Sequence, residues 1–175
     1  MIRDYVPADR AAVNAVARAA FAQYAADYAD WPTFSAGIGR MADLAGDGDL
    51  LVAERAGRVA GAVVHVGPGR PRSAIFPEDW SVLRMLVVDP DRRGAGIGRA
   101  LVDAALERAV RAHAPAVGLH TSPIMAAALR MSEAMGGLNR ERNREDLLLK
   151  IGIHEGPCLA VTLNDRQDYF GQTVN

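Results

Sequence analysis

The sequence predicts an α/β fold, a mixed sheet flanked by helices, and three observations carry that prediction. Residues 50–66 read as two apolar runs joined by a tight Ala56-Gly57 turn, which calls for antiparallel pairing. From residue 82 onward strand and helix patterns alternate, which calls for parallel pairing. The length, 175 residues with half of them hydrophobic, suits one compact domain that can bury its own core, with at most a small appendage.

Met1 to Val6 reads as a first strand. Pro7-Ala8-Asp9 opens a helix, because Val13, Val16, Ala17, Ala20 and Phe21 recur at spacings of three and four. Tyr24 to Pro32 is irregular and aromatic, and a second helix is expected over Phe34–Leu44. The hairpin follows, as Leu50–Glu54 and Val59–Val66. Gly67 to Asp79, rich in proline and glycine, is a loop long enough to hint at function. Val82–Val88 is nearly continuous in hydrophobicity and reads as a central strand. A glycine-rich turn, Gly94–Gly98, runs into a helix over Arg99–His113 with Leu101, Ala105, Leu106 and Ala109 as its buried stripe. Ala116–Thr121 is a strand and Ala126–Met135 a helix closed by Gly136-Gly137.

Composition excludes several classes. A net charge of −1 leaves no electrostatic footprint for nucleic acid or an anionic membrane. No uncharged run reaches the roughly 20 apolar residues of a membrane helix, and Arg3 and Asp4 stand where a secretory signal would be apolar. One cysteine, Cys158, excludes an internal disulfide. The expectation is a soluble cytoplasmic protein. No His, Cys or Asp set has ligand spacing, so no metal is expected.

The chemistry is concentrated in Val87-Val88-Asp89-Pro90-Asp91-Arg92-Arg93-Gly94-Ala95-Gly96-Ile97-Gly98-Arg99. Alternating glycines let a ligand approach the backbone. The helix that follows offers unpaired N–H groups and a partial positive charge, and together these make a phosphate or diphosphate cradle. A nucleotide-hydrolase loop would need Gly-Lys-Ser/Thr, and no lysine is present here. A dinucleotide-binding turn would need a third glycine three residues on and a position after the first strand. The bland alternative is a helix start whose glycines serve close packing only.

Arg93-Gly94-Ala95-Gly96-Ile97-Gly98 matches the Q/R-x-x-G-x-G/A signature, and with the leading strand Leu86-Val87-Val88 the segment resembles the GCN5-related N-acetyltransferases. The resemblance extends over residues 1 to about 148. It implies a mixed, mostly antiparallel sheet with a splayed central strand pair, and acetyl-CoA (coenzyme A) as cofactor. It further implies that Leu86, Val87 and Val88 meet pantetheine through their backbone. Arg93, Gly94, Ala95, Gly96, Ile97, Gly98 and Arg99 would meet the diphosphate. A backbone N–H near Leu86 or Val87 would polarise the thioester carbonyl.

The same resemblance places a general-acid tyrosine in a motif that aligns with Ala127–Gly137, but Ser132 occupies that position and Gly137 the place of a phenylalanine. Ser132 is thus a candidate that is shorter and less acidic than a phenol, and water is the alternative proton donor. Glu78 and Asp79, before the central strand, are candidate bases or simply solvated loop charges. His120, on the strand after the long helix, is a candidate functional histidine or a structural one. Tyr24, Tyr28, Trp31 and Phe34 would line an acceptor pocket or belong to the core.

From residue 149 the text changes. Only one of the 20 basic residues is a lysine, and it is Lys150. Leu149–Pro157 and Asp168–Asn175 resemble a fragment of the class III adenylate/guanylate cyclase catalytic domain. The domain reading is therefore 1–148 as the acetyltransferase domain and 149–175 as a cyclase-like segment. That segment is expected to complete the sheet as a hairpin across Glu155-Gly156-Pro157, a join by fusion or chimera. The functional expectation is transfer of an acetyl group from acetyl-CoA to a small-molecule or protein amine. The alternatives are a non-catalytic acyl-CoA-binding module and a chimera without activity. Strand edges near the end leave homodimer formation open.

Overall fold

The computed structural model describes residues 1–28, 30–121, 148–153, 158–163 and 166–171. The chain forms two compact units: Met1–Val66 with Leu83–Arg108, and Gly67–Val82 with Ala109–Asn175.

The first unit is built on the strand order β1-β2-β3-β4, with β1 at Ile2–Asp4, β2 at Asp49–Arg55, β3 at Arg58–Val66 and β4 at Ser81–Val88. β1 and β2 are antiparallel, as are β2 and β3. Ala56 and Gly57 both adopt positive φ, 49° and 71°, the geometry that turns a two-residue hairpin in the sense of the strand twist. β3 is buried from Ala60 to Val66: a strand lies on each side of it, and helical residues pack over it.

Helix α1, Arg10–Phe21, buries Val13, Val16, Ala17, Ala20 and Phe21, the five positions that its periodicity marks. A single 3₁₀ turn, Pro7–Asp9, precedes it. Helix α2 spans Trp31–Ile38, earlier than the expected 34–44, because Asp30 caps it by accepting from the Thr33 amide (3.1 Å) and Pro32 fits its first turn. Gly39 ends it, and a 3₁₀ stretch over Met41–Gly46 covers the rest. Helix α3, Ile97–Arg111, buries Leu101, Ala105, Leu106 and Ala109.

Asp9 ties β1 to the start of α1. It accepts from two Arg3 nitrogens (2.7 and 2.9 Å) and from the Val6 amide (2.9 Å). The Arg3 guanidinium, against opposing burial, holds its carboxyl below the usual carboxylate range. A pKa depressed on folding gives stability that is present above the unfolded value near 4 and is lost as pH falls through the folded value. Asp9→Asn should therefore lower the unfolding free energy by about 1–3 kcal/mol at pH 7, and by clearly less at pH 3. Urea titrations at the two pH values check this.

A second polar network joins β1, β2 and β3 to the last turns of α3. Buried His65 approaches Asp49 (3.4 Å), and Arg108 reaches both Asp49 (3.2 Å) and Asp4 (2.6 Å). Burial pushes the Asp49 carboxyl up, but hydrogen bonds from Arg108 and His65 outweigh it and leave the group below its ordinary value.

In the second unit, β5 (Ala116–Thr121) pairs in parallel with β6 (Leu148–Ile153). β7 (Cys158–Leu163) and β8 (Arg166–Gly171) form a separate antiparallel pair. The tail hairpin thus forms one strand later than expected. The run 148–153 pairs with β5 rather than with 158–163, and the latter takes its partner from 166–171. The helix expected over Ala126–Met135 lies outside the described residues.

Candidate functional site

The glycine turn sits in the first unit, between β4 and α3. β4 ends at Val88, and the Asp89 amide donates to the Ala60 carbonyl (2.9 Å), which keeps the exit of the strand beside β3. Asp89 then caps a 3₁₀ turn, Pro90–Arg92, by accepting from the Asp91 amide (3.1 Å). Arg93 is extended, and Gly94 and Gly96 adopt φ of 79° and 73°. Those are left-handed values that L residues with a Cβ avoid.

Further observations make this turn a candidate ligand cradle. An added Cβ at Gly94 or Gly96 meets nothing within 4 Å, so their glycine identity is not explained by packing against protein. Residues 93–96 are exposed, while Ile97 anchors the helix start with only 4% exposure. The amide of Ala100 donates back to the Gly96 carbonyl (3.0 Å). Among the described residues no side chain accepts from the amides of Gly94 to Gly98, and the first turn of α3 holds no acidic residue. The arrangement offers N–H groups and a helix dipole to an anion without a protein carboxylate competing for them. Gly98 differs from its neighbours: its φ is not positive, and an added Cβ would make an ordinary 3.5 Å contact with Val88.

The arginines divide by partner. Arg93 donates to the Gln23 side chain (3.0 Å) and to the Ala20 carbonyl (3.2 Å), so it clamps the turn to the C-terminal end of α1. Arg92 donates to the Arg55 carbonyl (3.0 Å) and pairs with Asp89 (3.5 Å). Arg99, 63% exposed, makes only a 3.8 Å approach to Asp103 one turn on. Arg93 and Arg92 brace the loop, and Arg99 is the cation left at its mouth. These braces are tertiary and leave no mark in the local sequence.

Inside β4, Met85 adopts φ 53°. A non-glycine residue in this region costs roughly 1–3 kcal/mol and is held only where its surroundings dictate it. The strand is therefore irregular immediately before Leu86, Val87 and Val88.

The first unit by itself brings together Leu86, Val87, Val88 and Arg93 to Arg99. Glu78 belongs to the second unit, exposed on the 67–80 loop. That loop is organised by Arg72, whose guanidinium donates to the carbonyls of Gly67, Arg70, Pro77 and Trp80. The ring of Phe76 fills the space over Gly118 of β5, where a Cβ would lie 2.6 Å from it. His120 lies on β5, and Ser132 lies outside the described residues. The aromatic residues cluster in the first unit: Phe34 stacks on Tyr28 (centroids 3.9 Å apart) and meets Phe21 edge-on (6.0 Å). Trp31 packs against both Tyr28 and Phe34, half-buried. Among the described residues no group of three or more His, Cys, Asp or Glu could hold a metal, and no helix is long and apolar enough to cross a membrane.

The family model for the acetyltransferase (GNAT) family matches residues 12–136, which include the whole cradle. The model for the adenylate and guanylate cyclase catalytic domain matches residues 110–175. A GNAT family acetyltransferase from Brucella melitensis, solved in complex with acetyl-CoA, is 28% identical. The match covers 67% of this chain and 72% of that one, with a TM-score of 0.51. The ribosomal-protein-alanine N-acetyltransferase from Brucella melitensis is 25% identical, over 78% of this chain and 83% of that one, with a TM-score of 0.55. An acetyltransferase of the GNAT family from Staphylococcus aureus is 14% identical over 78% and 82%, with a TM-score of 0.59, a likeness of fold alone. None of the curated proteins compared with the chain matches it.

Proposed function

The chain belongs to the GNAT acetyltransferase family, and from that premise we propose that it binds acetyl-CoA at the Gly94–Gly98 cradle and transfers the acetyl group to a primary amine. The observation that carries this reading is the pair of left-handed glycines, open on the side where a Cβ would stand, ahead of a helix start with no acidic residue. Backbone amides there take the diphosphate, and Arg99 adds charge at the mouth.

Leu86, Val87 and Val88 offer backbone groups to the pantetheine arm, and the irregularity at Met85 frees them from a regular ladder. An N–H at Leu86 or Val87 then faces the thioester carbonyl, where each such donor stabilises the developing oxyanion by roughly 3–4 kcal/mol. The neutral amine attacks the carbonyl carbon. The carbon–sulfur bond breaks, the nitrogen loses a proton, and the departing thiolate gains one. Glu78 is the proposed acceptor of the amine proton. Ser132 is the proposed donor to the thiolate and His120 a proposed further participant, both assigned from the sequence, with water completing the transfer where the hydroxyl is too weak an acid.

The test is direct. The purified chain is mixed with acetyl-CoA and a panel of small amines and N-terminal peptides, and free thiol is followed alongside the mass of the acceptor. Thiol release that depends on acceptor, with a gain of one acetyl group, supports the proposal. Binding of acetyl-CoA with no transfer to any acceptor turns the reading to a non-catalytic acyl-CoA module. No binding defeats it.

A further inference from the structure

Beside the cradle lies a cluster of arginines that the proposed chemistry does not use. The β2–β3 hairpin ends in Arg55-Ala56-Gly57-Arg58, and Arg55 and Arg58 are register partners across it. Directly opposed residues of an antiparallel pair share a face, and like charges in that relation destabilise the hairpin. Both are exposed, and among the described residues neither guanidinium has an acidic partner. Of the nearby carboxylates, Glu54 accepts from Arg3 (2.9 Å) and Asp89 pairs with Arg92, while exposed Asp91 makes no ion pair with either arginine.

This hairpin end is fixed against the approach to the cradle. Arg92 reaches across to the Arg55 carbonyl (3.0 Å), and the Asp89 amide holds the Ala60 carbonyl of the same hairpin (2.9 Å). Arg92 precedes Gly96 by four residues, at most about 14 Å of extended chain and less where it turns. A pair of uncompensated guanidiniums, kept together at a cost in stability and pinned next to a diphosphate cradle, is suited to a second phosphate of the same ligand.

We propose that Arg55 and Arg58 form a subsite for the phosphomonoester on the adenosine ribose of the coenzyme, and that they make the protein select coenzyme A over its 3′-dephospho form. This rests on the acetyl-CoA reading above and adds to it a discriminating subsite. A phosphomonoester carries close to two negative charges and three acceptor oxygens, and two adjacent guanidiniums match it with forked hydrogen bonds.

Calorimetric titration of the full chain with coenzyme A and with 3′-dephospho-coenzyme A tests it. The wild type should bind coenzyme A about tenfold more tightly. The Arg55→Ala/Arg58→Ala double variant should bind both compounds equally, at the affinity that the wild type shows for the dephospho form. The Arg55→Lys/Arg58→Lys variant, which keeps the charge, should retain most of the preference. No preference in the wild type, or an unchanged preference in the alanine double variant, overturns the subsite and leaves the cradle standing. If the wild type binds neither compound, the cradle reading falls and the subsite falls with it.

Discussion

Gly96→Glu should abolish coenzyme binding, with affinity falling at least 100-fold while the protein stays folded. Stability and binding separate because the costs differ in kind. A left-handed φ of 73° costs an L residue roughly 1–2 kcal/mol. A carboxylate at a helix N-terminus returns about 0.3–1 kcal/mol of that through the helix dipole. The new side chain meets no protein atom at its Cβ, so no packing is lost. The ligand fares differently, because the side chain fills the space that a diphosphate needs and the added charge repels it. Gly98→Ala is the matched control, since its backbone is ordinary and its Cβ would sit 3.5 Å from Val88. It should bind within a few-fold of the wild type. Calorimetry and thermal melts on the two variants decide the matter, and an unaltered affinity in Gly96→Glu rejects the assignment of the turn.

Gly61→Val should cost at least about 2 kcal/mol of stability, as expected for overpacking a site with no room. Gly61 lies on β3 under α3. A Cβ there would stand 2.8 Å from the Val87 carbonyl and 3.1 Å from both Ile97 and Leu101. The carbonyl is backbone of the neighbouring strand, so it cannot swing aside as a side-chain terminus would. The helix must lift instead, and Ile97 is its first residue. The damage therefore reaches the cradle, and coenzyme binding should weaken as well. Gly61→Ala should fall between the two. Urea unfolding gives the stability, and a wild-type midpoint for Gly61→Val would contradict the close approach of helix and strands.

Much of the first unit was legible because it is local. The stripe of α1 follows from 3.6-residue spacing, and the β2–β3 turn from a short break between apolar runs. The boundaries of α2 were misread because a cap set them: Asp30 and Pro32 start the helix three residues before the apolar pattern suggests. The tail's pairing departs from its local pattern for a different reason. Two β-prone runs around Gly156-Pro157 look like a hairpin, but 148–153 finds its partner some 30 residues upstream in β5. Sequence adjacency says nothing about such a pairing. At the candidate site, glycine announces a left-handed backbone, whereas Met85 does not, because methionine seldom adopts that conformation and nothing in its surroundings betrays it. The placing of Arg92 and Arg93 against Arg55, Gln23 and Ala20 depends on contacts far apart in the chain.

The cations around the cradle and the hairpin end, Arg55, Arg58, Arg92, Arg93 and Arg99, have one chemical property in common. A guanidinium keeps its proton at any physiological pH and has no free lone pair to offer, whereas a lysine releases a nucleophilic amine when its pKa drops near other positive charges. Lysines crowded together in the same way would discharge one another by mutual repulsion. An all-arginine rim keeps its full charge however closely its members stand.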